Sequence, residues 1–157
     1  LNDSKKLSEK KRNELRKVIE KNAMAYSVVH VNSQEIDKIN ILNASILAMH
    51  RAIKKLKVIP GFILVDGNRF SKYENLEHKC MISGDCRFQN IAAASILAKT
   101  YRDELMIRLD KKHPQYSWNN NKGYPTKFHK KSIILNGHSI YHRRSFRLFD
   151  IQTKLKF

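Results

Sequence analysis

Apolar residues recur along the chain with two different periods, and the changes between them mark out the elements. Between Ser8 and Asn22, Leu15, Val18 and Ile19 share one side of a helical projection while Lys, Arg and Glu take the other. The segment predicts a surface helix with Ser8 as its N-cap. Ala25 to Val31 alternates instead, with Val29 and Val31 on one face and Tyr26, Val28 and His30 on the other, as in a strand. The helical period returns through Ile36, Ile39, Leu42, Ile46, Leu47 and Ile53, predicting one helix to about Leu56. Asn32 with Glu35 three residues on is the start of a capping box for it. The unbroken apolar run Phe62-Ile63-Leu64-Val65, between Pro60-Gly61 and Gly67-Asn68, predicts a strand buried on both faces and ending in Asp66. A second short run, Cys80-Met81-Ile82, leads into Ser83-Gly84-Asp85. Small residues on nearly every side of Ile91 to Lys99 predict a helix buried close against a sheet. Its stripe continues through Leu105, Met106 and Leu109 and stops near Lys112, ahead of Pro114. Gln115 to Tyr124 predicts an aromatic, Asn-rich loop, and Thr126 a cap for a short helix from Lys127 to Leu135, closed by Asn136-Gly137.

This order of strands and helices predicts an α/β fold, with residues 1–157 as one domain. Hydrophobic residues make up 41% of the chain and no apolar run approaches the length of a membrane-spanning helix, so no membrane role is expected. Residues 1–22 are polar and lysine-rich, without the pattern of a signal peptide. Cys80 and Cys86 give neither a disulfide framework nor, even with His78, a zinc spacing, which fits a reducing cytoplasm. His30 and His50 read as partly exposed packing residues. The net charge of +17 is spread through the chain, and a field of that sign favours a polyanion, with nucleic acid the default partner.

Set within so basic a chain, an acidic pair stands out. If the strands ending in Asp66 and leading to Asp85 lie parallel, both carboxylates reach one edge, where they repel unless a cation sits between them. Hard divalent ions with oxygen ligands suit such a pair. The plainer reading makes Asp66 a turn residue before Gly67 and Asp85 a helix N-cap. Arg143 and Arg144, beside His142 and Ser145, suit phosphate contact or equally a solvated basic turn. With Tyr116, Trp118 and Tyr124 as stacking surfaces, the same arginines fit a non-catalytic nucleic-acid-binding module.

Several segments together resemble ribonuclease HII, the type 2 ribonuclease H: Asn2-Asp3-Ser4-Lys5-Lys6-Leu7-Ser8, Ile39-Asn40-Ile41-Leu42, Val65-Asp66-Gly67-Asn68, Gly84-Asp85, Ile91 to Lys99, Arg102-Asp103, Lys122-Gly123-Tyr124 with Thr126, and His142-Arg143-Arg144-Ser145-Phe146. Each is weak singly; their order and spacing across nearly the whole chain are specific. Val65-Asp66-Gly67-Asn68 and Gly123-Tyr124-Pro125-Thr126 favour this type over the related ribonuclease HIII. The resemblance implies a ribonuclease H-like mixed sheet of five strands flanked by helices. It implies an endonuclease, acting as a monomer, that cuts the RNA strand of RNA–DNA hybrids and ribonucleotides embedded in DNA, with Mg²⁺ or Mn²⁺. Asp66 and Asp85 match the third and fourth of four catalytic, metal-binding carboxylates. Tyr124 matches the tyrosine at the ribonucleotide–deoxynucleotide junction; Ser4, Lys5, Lys6, Arg143 and Arg144 would hold substrate phosphates. Lys99 and Asp103, four apart on a helix, would support the site or the fold.

Two departures qualify the match. Ser83-Gly84-Asp85-Cys86 stands where the family commonly has Lys-Gly-Asp-Ser, so a nearby positive charge is missing. The family's opening strand, with an Asp-Glu pair followed by Ala-Gly-Arg-Gly, and the strand after it have no counterpart in the 157 residues. The expectation is therefore a chain missing N-terminal strands, the C-terminal major part of a catalytic domain, inactive as a fragment by itself.

Overall fold

The structure, a computed structural model, describes residues 7–147. Its elements are helices α1 (Glu9–Asn22) and α2 (Ser33–Lys54), strands β1 (Ile63–Asp66) and β2 (His78–Met81), and helices α3 (Gln89–Lys112), α4 (Trp118–Asn121) and α5 (Lys127–Asn136). Single 3₁₀ turns form at Gly84–Cys86 and Pro114–Tyr116. The chain gathers into two compact units, one from the residues up to His30 with Ser45–Leu105, the other from Val31–Ala44 with the residues from Met106 onward.

In the first unit the Ser8 hydroxyl accepts from the Lys11 amide at 3.2 Å and starts α1 as predicted. Ile19 buries against Ile96 and Leu97, with Leu15, Val28, Ala93 and Tyr101 around them. Beside this cluster Arg16 donates to Glu20 (2.7 Å) and to Glu104 (2.8 Å), and its guanidinium lies 3.7 Å above the Tyr101 ring. The Tyr101 hydroxyl donates to Glu20 at 2.9 Å. Arg16, more than Tyr101, holds the Glu20 carboxyl below its ordinary range. α1 is thus fixed to α3 by an apolar seam and a charged one.

β1 and β2 pair in parallel, Ile63 opposite His78 and Asp66 opposite Met81, and Gly67 N–H to Met81 C=O (3.0 Å) closes the ladder. Parallel strands usually cross over through a helix. Residues 67–77 make this crossover without one, and His50 from α2 pins it. The His50 Nε2–H donates to the Ser71 carbonyl at 2.9 Å, and its ring meets Phe70 and Tyr73 edge-on at 5.2 and 5.1 Å.

Four expectations need correction here. Residues 25–31 form no strand: an alternating segment becomes one only with a ladder partner, and among the described residues this one has none. The sheet among the described residues is therefore β1 and β2. β1 is not buried on both faces, since Val65 alone is buried, Ile63 and Leu64 are half-buried, and Phe62 is 51% exposed. Small residues do not bury α3 all round, because Ala94 and Ala98 face solvent while Ile91, Ala92, Ile96 and Leu97 face in. Val18 of α1 is likewise 55% exposed.

The second unit opens with the predicted capping box: Glu35 N–H to Asn32 Oδ1 at 2.8 Å, Asn32 N–H to Glu35 Oε2 at 3.3 Å. α2 is not one continuous helix, however. Asn40 has φ 65° and ψ 168°, a region that side-chain-bearing residues rarely occupy, and breaks it. Its Oδ1 accepts from the Asn43 amide at 3.1 Å and caps the segment that follows. The apolar period runs unchanged across the break, which is why periodicity reads one helix. Gln115 to Tyr124 is not an open loop either, since the Pro114–Tyr116 turn and α4 fill most of it. Within it Tyr116 stacks on Trp118 with centroids 4.9 Å apart. Thr126 caps α5, accepting from His129 N–H at 3.2 Å, and Gly137 at φ 75° ends it.

Asn40 carries strain and a cap at once, and two substitutions separate them. Asn40→Ala loses the cap and keeps a Cβ in a strained conformation, so unfolding free energy is expected to fall by about 1–3 kcal/mol. Asn40→Gly loses the cap but relieves the strain and should lie within a few tenths of a kcal/mol of wild type or above it. Equal losses in denaturant titrations would show that the break is unstrained.

Candidate active site and nucleic-acid surface

In the first unit, β1 carries Asp66 at its carboxyl end, and β2 leads through a tight turn to Asp85 in the Gly84–Cys86 3₁₀ turn. The parallel register therefore brings the two acids to the same edge of the sheet, as predicted. Gly84 joins them: its N–H donates to Asp66 Oδ1 at 2.9 Å, one residue before Asp85. Ser83 stands left-handed at φ 53° to make the turn. Gly84 is buried and cannot readily be anything else. A Cβ there would lie 2.6 Å from Ile91 Cδ1, 3.3 Å from Met81 Cβ and 3.4 Å from Asp66 Oδ1. The Asp66 carboxylate is exposed and Asp85 half-buried. Neither pairs with a lysine or arginine among the described residues.

Two carboxylates at one solvent-reached edge are a donor set for a hard divalent cation, which takes oxygen ligands and keeps several waters. They do not amount to a closed cage, and no cluster of three or more His, Cys, Asp or Glu forms among the described residues. The cysteines are free thiols. On α3, Lys99 and Asp103 form the pair their spacing suggested, Nζ to Oδ1 at 2.6 Å, with Asp103 buried.

The remaining candidates lie in the second unit. Tyr124 follows a left-handed pair, Lys122 (φ 49°) and Gly123 (φ 80°), and its side chain is 59% exposed. Asn121, buried, braces this turn through Nδ2 to Tyr116 C=O (2.7 Å) and Oδ1 from Gly123 N–H (2.8 Å). Tyr116 and Trp118 are 2% and 1% exposed, so their faces are not available to stack on bases. That removes two of the three aromatic surfaces from the binding-module reading and leaves Tyr124.

Arg143 and Arg144 sit on a turn held by a residue that sequence reading passed over. Asp37 accepts from the backbone N–H of Arg144 (2.9 Å) and Ser145 (3.0 Å) and from the Ser145 hydroxyl (2.6 Å). These donors, the Ser145 hydroxyl foremost, hold the Asp37 carboxyl below the ordinary range. The Ser145 hydroxyl is thereby occupied, and the turn offers guanidinium groups, that of Arg143 lying 3.8 Å over the Phe146 ring. Ser4, Lys5 and Lys6 fall outside the described residues.

Behind Tyr124 lies a second unforeseen group. His129 Nδ1–H donates to the Tyr124 carbonyl at 2.9 Å, while its Nε2 accepts from Trp118 Nε1–H at 3.1 Å and faces His142 Nε2 at 3.2 Å. His142 Nδ1 accepts from the amide and hydroxyl of Ser139, both at 2.9 Å. Burial, reinforced by the facing His129 and His138, lowers the His142 pKa from 6.5 to about 4. Sequence offered only a weak signal for this group, because the rings come from an exposed-looking helix and a basic tail.

Comparison with known proteins places the chain in a family. The family model for Ribonuclease HII matches residues 1–149. Ribonuclease HII of Christiangramia forsetii is 55% identical over 157 residues, covering 100% of this chain and 79% of that protein. That of Bacteroides thetaiotaomicron is 56% identical over 158 residues with the same coverage. Among solved structures, the ribonuclease H2 from Pyrococcus horikoshii OT3 superposes with a TM-score of 0.78 at 23% identity, covering 93% of this chain and 76% of that one, a likeness of fold.

Gly84→Ala should lower stability by about 1–3 kcal/mol through overpacking. Ile91→Val deletes the Cδ1 that the new methyl meets at 2.6 Å, so the double variant should recover part of that loss. Strictly additive losses would show that the methyl is accommodated elsewhere.

His142 supplies a pH dependence of definite sign. Its folded pKa, about 4, lies below the ordinary 6.5, so between those values the unfolded chain binds a proton that the folded one refuses. Its contribution is intact above pH 6.5 and is lost as pH falls toward 4. The slope approaches at most about 1.4 kcal/mol per pH unit. His142→Gln should flatten thermal stability against pH in that window, and an unchanged slope would remove His142 as its source.

Proposed function

The chain belongs to the ribonuclease HII family of RNA-strand endonucleases, and from that premise we propose that Asp66 and Asp85 hold the divalent cations of its active site. The reaction is hydrolysis of the RNA strand of RNA–DNA hybrids and of ribonucleotides embedded in DNA. A water oxygen forms a bond to phosphorus as the bond to the 3′ oxygen breaks. The water gives up a proton, the leaving oxygen gains one, and the ends are 5′-phosphate and 3′-hydroxyl. A pair of divalent cations, Mg²⁺ or Mn²⁺, when bound, supplies activation of the water and stabilisation of the leaving oxygen. Asp66 offers its carboxylate in an orientation fixed by the Gly84 amide, and Asp85 follows on the same turn.

Substrate is held by other residues. The exposed ring of Tyr124 packs at the junction between ribonucleotide and deoxynucleotide and helps read the 2′-hydroxyl, the group that distinguishes RNA from DNA. Arg143 and Arg144, with Ser4, Lys5 and Lys6, hold backbone phosphates, which give affinity without regard to sequence. Lys99 and Asp103 fix the helix behind the acidic edge. The observation that carries the reading is the parallel ladder, which sets two carboxylates on one edge in a chain of net charge +17.

Asp66→Asn in the full-length protein tests it. The substitution keeps the shape and the acceptor for Gly84 while removing the charge that holds metal. Single-turnover cleavage of a hybrid in Mg²⁺ should fall by about a hundredfold or more, with hybrid Kd changed less than about threefold. Wild-type turnover would remove Asp66 from the active site.

A further inference from the structure

The hydrogen bonds around His129 leave no choice of proton positions. A carbonyl only accepts, so His129 carries its proton on Nδ1, facing Tyr124 C=O at 2.9 Å. Its Nε2 must then accept, as the Trp118 Nε1–H at 3.1 Å requires. His142 receives the Ser139 amide at Nδ1, so its own proton is on Nε2 and points at the His129 Nε2 lone pair, shared with Trp118, across 3.2 Å. The two rings thus hold opposite tautomers, and a proton added to His142 Nδ1 would face the Ser139 amide donor. The low pKa of His142 agrees with this assignment.

The two ends of this chain of hydrogen bonds lie beside the proposed substrate contacts. At one end is the backbone of Tyr124, a 59% exposed residue whose carbonyl also accepts from Thr126 N–H at 2.8 Å. At the other is His142, the residue immediately before Arg143 and Arg144. His129 itself is 4% exposed and touches no surface that nucleic acid could reach.

We propose that His129 and His142 form a positioning pair, which locks the Tyr124 turn and the arginine turn into one frame so that the ring and the guanidinium groups meet the substrate in fixed register. The proposal rests on the reading of Tyr124 as the junction-contacting residue. Neither histidine touches the reacting atoms. Their contribution is orientation, where a displacement on the order of 1 Å can cost up to about a hundredfold in rate.

The two amide substitutions of His129 separate positioning from packing. Asn places a donor where Nδ1 was and loses the acceptor that faces Trp118 and His142, which breaks the pair; Gln places an acceptor where Nε2 was, which keeps the pair, and loses the donor to Tyr124. Cleavage of duplex DNA containing one ribonucleotide is measured under single turnover in Mg²⁺ with the full-length protein, together with Kd and Tm. Each variant cuts one link between the two turns, so both are expected to lose about tenfold in rate with Kd nearly unchanged. Cleavage within about threefold of wild type in either variant, or rates that simply follow Tm, would overturn the proposal. If the His129 variants do not fold, His142 decides: Gln keeps a donor to His129 and should retain cleavage, Asn lacks it and should not, and equal rates overturn the pair. Tyr124→Ala separates the two levels. If it leaves junction cleavage intact, the reading of Tyr124 fails and the pair with it. If Tyr124→Ala is impaired while the histidine variants cleave like wild type, the pair alone fails.

Discussion

Parallel pairing of β1 with β2 is the constraint from which the acidic edge follows. Strands running the same way end at the same edge, and the register of Asp66 with Met81 puts the second carboxylate only a turn beyond the first. That register survives with only four residues per strand because it is held from outside the ladder. His50 grips the crossover at Ser71, and Gly84 closes it by giving its amide to Asp66. Absence of a Cβ at Gly84 lets Ile91 approach the turn, so the start of α3 and the Asp66 carboxylate are both set against one residue.

The parts legible in the sequence are those written locally. Ser8, Asn32 with Glu35, Thr126 and Gly137 each satisfy or end a helix through atoms within four residues, and each does what its type and place suggested. The placement of Asp66 and Asp85 at one sheet edge was readable because a short apolar run leading into an acid is itself a local pattern. Residues 25–31 failed because alternation states a preference that only a neighbouring strand can fulfil. Asn40 failed differently: the hydrophobic period is indifferent to a single residue leaving the helix, and only the backbone angles reveal it.

The groups that sequence could not give are bound by distant partners. Asp37 meets residues 107 and 108 positions away. The rings of Trp118, His129 and His142 converge from three separate segments. Tyr116 and Trp118 looked like stacking surfaces and are instead the buried floor of this cluster. Their burial gives the histidines a dry neighbourhood in which hydrogen-bond geometry, rather than solvent, fixes the tautomers.

The Asp37 clamp has a consequence for selectivity. A loop with free amides and a serine hydroxyl can cradle a phosphate by shape, and would distinguish one anion from another by fit. Here a carboxylate tethered in the same unit already fills those donors, at an effective concentration no dissolved ion approaches. With those donors filled, a phosphate contact at this turn of the kind proposed above comes from charge on long side chains, indifferent to which sugar carries the phosphate. A turn used that way is a handrail along any nucleic-acid backbone and does not itself tell ribose from deoxyribose.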